Sequence, residues 1–418
     1  MSRFDKQWQS IVLWIVAILG IVVVTLFYQP TAAKTGSLLI WMNNKLYRMD
    51  IDTLTIEPIA PASRNEAISV APGCLHQTET PCWVTVENRL YRVTPHQNSS
   101  MVSLTMPNEQ WPDSAVSWSP DGHHVAYTVV NRVRNQLELR LYDATNQTAT
   151  IVAHDVDPLI PVAWNSRCGD GLTDDCLLAY KTVFTQSAFT QSAFTQSATL
   201  VSLNLMTKNT QEWAMPPESL TELRWSPDDT LLYSGNGRSF HRIDNHAPAY
   251  NLSTGATIAN IAPDASQIVY YEPFTIRGCD STNNVDCLYV GVWLKQWASE
   301  PDKRDLVYSV HLATTDGDGL TFIPTWNQSN NGFVFFQEGN LVYYDAINQE
   351  AVIWDKSLRG KIRSMPVFSP NKEAVAFVDN QGQGVSEYRL KVINPRLQPV
   401  DHVIETETGF RVLAWLPD

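Results

Sequence analysis

The chain predicts an all-β fold, an eight-bladed β-propeller, preceded by one transmembrane helix. Three observations carry that expectation: a tryptophan-and-turn phrase that recurs eight times, six cysteines in three equally spaced pairs, and an uncharged apolar run near the amino terminus.

In each copy of the phrase a large hydrophobic residue precedes a Ser-Pro-Asp-like turn and then a short β-branched or aromatic strand. The copies are centred on Val70, Trp118, Trp164, Trp225, Ile261, Trp326, Phe368 and Trp415, at spacings of 48, 46, 61, 36, 65, 42 and 47 residues. Proline sets φ at the first turn position and Asp, Asn or Gly accepts the reversal, so the phrase ends one strand and begins the next. VAY from Val125, LLAY from Leu177, IVYY from Ile268 and FVFF from Phe333 then read as buried second strands. KLYRMD, RLYRV, LRLYD, SFHRID and LVYYD read as third strands, and TATIVA or EAVIWD as poorer fourth ones. Four strands at a period of about 45 residues make one propeller blade.

The last copy, FRVLAWLPD, has no second strand after it, while residues 37 to 60 supply a second, third and fourth strand with no first. The carboxy-terminal strand is therefore expected to complete the amino-terminal blade, which closes the ring and hides both edges. Eight blades then average about 48 residues, a normal size. Seven blades is the alternative, because the segments around Cys74 and Trp326 match the phrase less closely.

The segments WSPDGHHVAYT, RWSPDDTLLYSG and FSPNKEAVAFVD resemble the repeat of TolB-like propellers, a WD-like repeat also found in propellers of the prolyl oligopeptidase type. The resemblance spans nearly all of residues 37 to 418 and implies the fold, not a function, because such propellers host many roles. TolB-like proteins carry a small α/β domain before the propeller and the peptidases an α/β-hydrolase domain; there is room for neither here.

Residues 1 to 10 are polar, and the 18 residues from Ile11 to Tyr28 carry no charge. Such a run makes a helix of about 27 Å, close to the hydrocarbon thickness of a bilayer. Trp8, Trp14 and Tyr28 stand near its two ends, where aromatic side chains favour the interface. The expected organisation is a cytoplasmic tail over 1–10, a signal-anchor over 11–28, a linker over 29–36 and the propeller over 37–418. Cleavage near Thr31-Ala32-Ala33 is the alternative, and either reading exports the rest to a periplasm, lumen or extracellular space.

Cys74 and Cys82, Cys168 and Cys176, and Cys279 and Cys287 are each eight positions apart and flank polar loops, which points to three local disulfides in an oxidising compartment. Zinc is the alternative, though metal sites favour closer pairs with His nearby. A net charge of −13 without a Lys/Arg run excludes nucleic acid as an expected partner.

Catalytic residues are not expected. No G-x-S-x-G elbow occurs; the nearest match, Gly237 to His241, lacks its final glycine. His123 and His124 lie in a turn. No cofactor is expected; the calcium candidates are Asp316 with Asp318, and Asp170 with Asp174 and Asp175, which lack a full spaced loop. Two insertions supply the partner-binding candidates: three tandem FTQSA units from Phe184 to Ala198, with Phe184, Phe189 and Phe194, which read first as a repeat expansion lengthening a surface hairpin and alternatively as a partner-binding arm, and the stretch from Glu272 to Asp305, with Arg277, Trp293 and Trp297. Arg132 and Arg134 belong with them, because loops between second and third strands share one face of a propeller. The function expected is a non-catalytic, membrane-tethered interaction scaffold. The alternatives are a sensor of a small ligand or glycan, and a propeller enzyme, both using the central channel.

Overall fold

A computed structural model describes residues 36–63, 68–75, 82–93, 100–112, 115–170, 172–183, 198–214, 220–234, 240–250, 252, 256–280, 285–297, 304–311, 324–327, 329–337, 340–356, 361–362, 365–380, 387–394, 400–406 and 409–416. The tail, the apolar run and all of the linker but Gly36 lie outside them. Among the described residues no helix is long and apolar enough to cross a membrane.

The described strands form eight antiparallel sheets, the blades of one propeller. Blade 1 runs outward from the axis as Phe410–Leu416, Ser37–Met42, Lys45–Asp50 and Ile56–Pro61. Blade 2 is Ile68–Val70, Cys82–Val86, Arg89–Val93 and Ser100–Ser103. Blade 3 is Ser117–Trp118, His124–Asn131, Gln136–Asp143 and Thr148–His154, with Glu109–Gln110 as an extra inner piece. Blade 4 is Ala163–Trp164, Leu177–Lys181, Thr199–Asn204 and Thr210–Ala214. Blade 5 is short: Glu222–Trp225, Leu231–Ser234 and His241–Arg242. Blade 6 is long: Thr257–Ile261, Gln267–Asp280, Val285–Gln296 and Asp305–His311. Blade 7 is Thr325–Trp326, Gly332–Gln337, Asn340–Asp345 and Glu350–Asp355. Blade 8 is Val367–Phe368, Val375–Asn380, Glu387–Ile393 and Val400–Glu405, with Lys361–Ile362 beside them. The weakly matching segments at Cys74 and Trp326 thus build full blades, and the count is eight rather than seven.

The hydroxyl of the phrase explains why the phrase recurs. Ser119, Ser226 and Ser369 are buried, and their Oγ atoms accept the backbone N–H of His124, Thr230 and Ala374 at 2.9, 2.9 and 3.0 Å. Each bond ties the end of an inner strand to the start of the second one, satisfying a buried donor where the turn leaves the ladder. In blade 4 Asn165 replaces the serine and its Oδ1 accepts from Leu177 N at 2.9 Å.

The phrase tryptophan joins neighbouring blades. Trp225 donates its indole N–H to the Ala163 carbonyl at 3.1 Å, and Trp164 donates to Ser117 at 3.4 Å, each reaching the inner strand of the preceding blade. Trp118, Trp225 and Trp326 are buried, as a core role requires; Trp164 is half-buried. Between blades the second and third strands interdigitate as apolar layers, for example Leu38, Ile40 and Met49 of blade 1 against Ala376, Val378 and Leu390 of blade 8.

Closure follows the expected pairing. Leu416, Trp415, Ala414 and Val412 lie opposite Ser37, Leu38, Leu39 and Ile40, with a bulge between Leu39 and Ile40. Trp415 is 1% exposed. Gly36 has φ of +80°, and a Cβ there would come within 2.6 Å of the Leu416 carbonyl oxygen, so only glycine fits at the seam. Trp415→Ala removes the largest buried side chain of the closing strand and should cost about 3–5 kcal/mol in urea unfolding; a loss below about 1 kcal/mol would show that the seam does not hold the ring.

Candidate functional site

Up-and-down blades place the turns between first and second strands on one face of the disc and the turns between second and third strands on the other. Both faces carry features that a partner or ligand could use.

On the first face the inner strands of blades 3 to 5, with the turn residues Pro72 of blade 2, Pro263 and Asp264 of blade 6 and Asn330 of blade 7, line a partly open axial cavity of 780 Å³. The phrase builds much of its wall: Pro72, Pro120 and Pro263, with Ser166 in the same position in blade 4, line it. From the inner strand of blade 5, Glu222 and Arg224 contribute an ion pair with Arg224 Nε 2.6 Å from Glu222 Oε1.

Two disulfide-closed loops stand at this face. Cys74 bonds Cys82 and Cys168 bonds Cys176, with Cα atoms 4.4 and 4.6 Å apart. Each follows an inner strand through a short 3-10 turn and returns to the second strand. The second loop is also fastened to blade 5, because Arg167 pairs with Asp229 at 2.6 Å and Asn165 Nδ2 donates to the same carboxylate at 3.3 Å. Cys287 is disulfide-bonded as well, at the far end of the blade 6 hairpin; the side chain of Cys279 lies outside the described residues.

The opposite face carries hairpins of unequal length. In blade 3, Arg132 and Arg134 are exposed at the tip between His124–Asn131 and Gln136–Asp143. Beneath them the side chains of Arg140, Glu138 and Glu109 are 7%, 0% and 5% exposed. Arg140 Nη2 lies 2.8 Å from Glu138 Oε2 and also contacts Glu109, while Asn131 Nδ2 donates to Glu138 at 2.8 Å. Burial pushes the Glu138 carboxyl up, but hydrogen bonds from Arg140 and Asn131 outweigh it and hold the group below its ordinary range. In blade 4, Phe184, Phe189 and Phe194 of the tandem insertion lie outside the described residues.

The second insertion is largely regular strand rather than loop. Gln267–Asp280 and Val285–Gln296 pair from Gln267 with Gln296 out to Asp280 with Val285, and the inner strand leaves them at Tyr271. Arg277 is exposed near the distal end. Trp293 and Trp297 sit elsewhere than the sequence grouping implies: Trp293 pairs with Tyr270 at the base of the hairpin, and Trp297, one residue past its strand, packs edge-on against Tyr250 of the blade 5 side. Arg304 lies over the Trp293 ring at 4.3 Å from its centroid, a cation–π contact that helps fix the base. Phe274 and Tyr289, stacked at 5.6 Å, continue the same side of the ribbon outward. Sequence spacing alone missed this pair, although alternation along IVYYEPFTI and CLYVGVW was the available signal.

Of the calcium candidates, Asp175 is engaged by Arg167 at 3.3 Å and Asp174 is exposed. The Asp170 side chain and both Asp316 and Asp318 lie outside the described residues. No group of three or more His, Cys, Asp or Glu side chains is placed to hold a metal among the described residues.

No family model matches the chain, and no curated protein matches it. Solved structures similar to it include an oligogalacturonate lyase from Vibrio parahaemolyticus, 14% identical over 87% of this chain and 98% of that one, with a TM-score of 0.45. TolB from Acinetobacter baumannii is 13% identical over 90% of this chain and 79% of that one, at 0.33, and the Dos1 propeller 10% identical over 92% and 95%, at 0.45. At these values the likenesses carry no argument about activity, and the fold rests on the strand pairing described above.

Two outcomes follow from these sites. Arg140→Met strands two buried carboxylates and should cost roughly 3–5 kcal/mol at neutral pH. Because the folded pKa of Glu138 is depressed, its contribution is present above the unfolded carboxylate value and is lost as pH falls through the folded one; urea midpoints of the parent and Arg140→Met should therefore converge in acid. Separately, replacing Cys168 and Cys176 together with serine releases a short loop and should lower stability by about 2–3 kcal/mol, with mass analysis before and after reduction showing that the variant takes up two fewer hydrogens than the parent.

Proposed function

We propose that this chain is a non-catalytic scaffold, anchored to a membrane by the run from Ile11 to Tyr28, whose propeller docks a protein partner outside the cytoplasm. The observation that carries this reading is the length of the connections between second and third strands, which share one face: the hairpin tip at Arg132 and Arg134 and the ribbon that reaches Asp280 and Val285, with the sequence insertion between Lys181 and Thr199 joining the same pair of strands in blade 4. Blade 5, with second and third strands of only four and two described residues, lies between the last two. Loops on a rigid ring vary in length without disturbing it, so length concentrated on one face supports a binding surface there. The buried Glu109–Arg140–Glu138 cluster favours the same use, because it holds the blade 3 tip in one conformation and so lowers the ordering cost of binding. The local disulfides support an oxidising compartment.

The test is recovery of the full chain from its native membrane in mild detergent, with partner stoichiometry read by mass spectrometry. A stoichiometric protein should accompany the parent, and Arg132→Glu, or deletion of residues 184–198, should weaken its retention about tenfold, while both variants keep the parental melting temperature. A chain that leaves the membrane alone, or a partner held equally by both variants, overturns the reading.

A further inference from the structure

The axial cavity lies on the face opposite the hairpins and has no part in the docking proposed above. Its volume of 780 Å³ falls within the range of small-molecule sites, about 300–1,000 Å³. The wall combines two kinds of group. Flat apolar surfaces come from Pro120, Pro263 and the half-buried Trp164, whose ring is held by its hydrogen bond to Ser117. Fixed planar polar groups come from Glu222 and Arg224, locked to each other at 2.6 Å, and from Asp264, whose Oδ1 accepts both the N–H and the hydroxyl of Ser266 at 2.9 and 2.6 Å.

The charges nearly cancel, since Glu222 and Arg224 offset each other and Asp264 leaves one negative charge. An anionic ligand would meet net repulsion, and a purely apolar one would strip water from the ion pair with nothing in return. What the pair accepts is a molecule with neighbouring donors and acceptors. Arg224 offers guanidinium N–H groups beyond the Nε bonded to Glu222, and Glu222 retains a second carboxylate oxygen. A vicinal diol matches this arrangement, because one hydroxyl can donate to the carboxylate while its neighbour accepts from the guanidinium. The C–H face of a pyranose ring in turn fits against proline and indole.

We infer that the axial cavity is a binding site for a neutral sugar of one or two rings, with Arg224 and Glu222 reading adjacent hydroxyls and Trp164 packing against the ring face. The site is independent of the hairpin face and of any partner held there.

The test uses the full chain in a detergent without a sugar headgroup, titrated with glucose, cellobiose, N-acetylglucosamine and, as the charged counterpart, galacturonate. Saturation-transfer NMR and tryptophan fluorescence are the readouts. At least one neutral sugar should bind and change the fluorescence, and galacturonate should bind at least tenfold more weakly. Arg224→Met should lose that affinity at least tenfold with the melting temperature preserved; Glu222→Gln, which keeps the side chain's size, should lose affinity too and guards against a folding defect in the first variant. Failure of all three neutral sugars to bind, a preference for galacturonate, or affinities unchanged in two folded variants would each overturn the inference.

Discussion

The fold depends on one pairing between the ends of the propeller. Phe410–Leu416 supplies the inner strand of a blade whose other three strands begin at Ser37. Without it, Ser37–Met42 would present an open row of backbone donors and acceptors, and the apolar layer of Leu38, Ile40, Phe410 and Trp415 would lose one of its walls. In the closed ring the edges that remain are short and face the axis or the rim, and each blade is covered on both sides by a neighbour. Gly36 marks how closely the strands approach, since the Leu416 carbonyl occupies the space a side chain would need.

Given closure, one short phrase performs three tasks. Its aromatic residue packs between blades and, in Trp164 and Trp225, donates across to the preceding inner strand. Its serine or asparagine satisfies the backbone where the inner strand turns into the second. Its proline in blades 2, 3 and 6, and the serine standing there in blade 4, line the cavity. The residues that make the ring stable therefore also shape its channel, so the channel's specificity must come from positions outside the phrase, such as Glu222 and Arg224.

The two faces of the disc differ in how they hold charge. On the cavity side Arg167 crosses from a disulfide-closed loop to Asp229 of the next blade, in water-exposed surroundings where an ion pair contributes little beyond position. On the hairpin side Arg140 is buried between two carboxylates, where geometry must compensate for lost hydration and a missing member leaves an uncancelled charge. The first arrangement aligns a loop, whereas the second ties the base of a hairpin tip to the extra inner segment that carries Glu109.

The sequence by itself determined the all-β class, the blade phrase and the partner of the last strand, because each follows from local turn chemistry repeated at a regular period; it favoured eight blades over seven, and strand pairing decided the count. Two of the three local cysteine pairs were legible for the same reason: eight residues across a tight loop leave their Cα atoms within bonding reach. Tertiary structure alone decided which side chains meet across blades. Arg140 joins Glu109 from a separate inner segment, Arg167 finds Asp229 of another blade, and Trp293, near Arg277 in sequence, sits at the base of a hairpin whose distal end holds Arg277. Spacing along a chain encodes strands and turns, but the rotation of one blade against the next is set by packing of large side chains between sheets. For that reason the ring could be read from the residues, while its cavity and its clusters of charge could only be seen once the ring was closed.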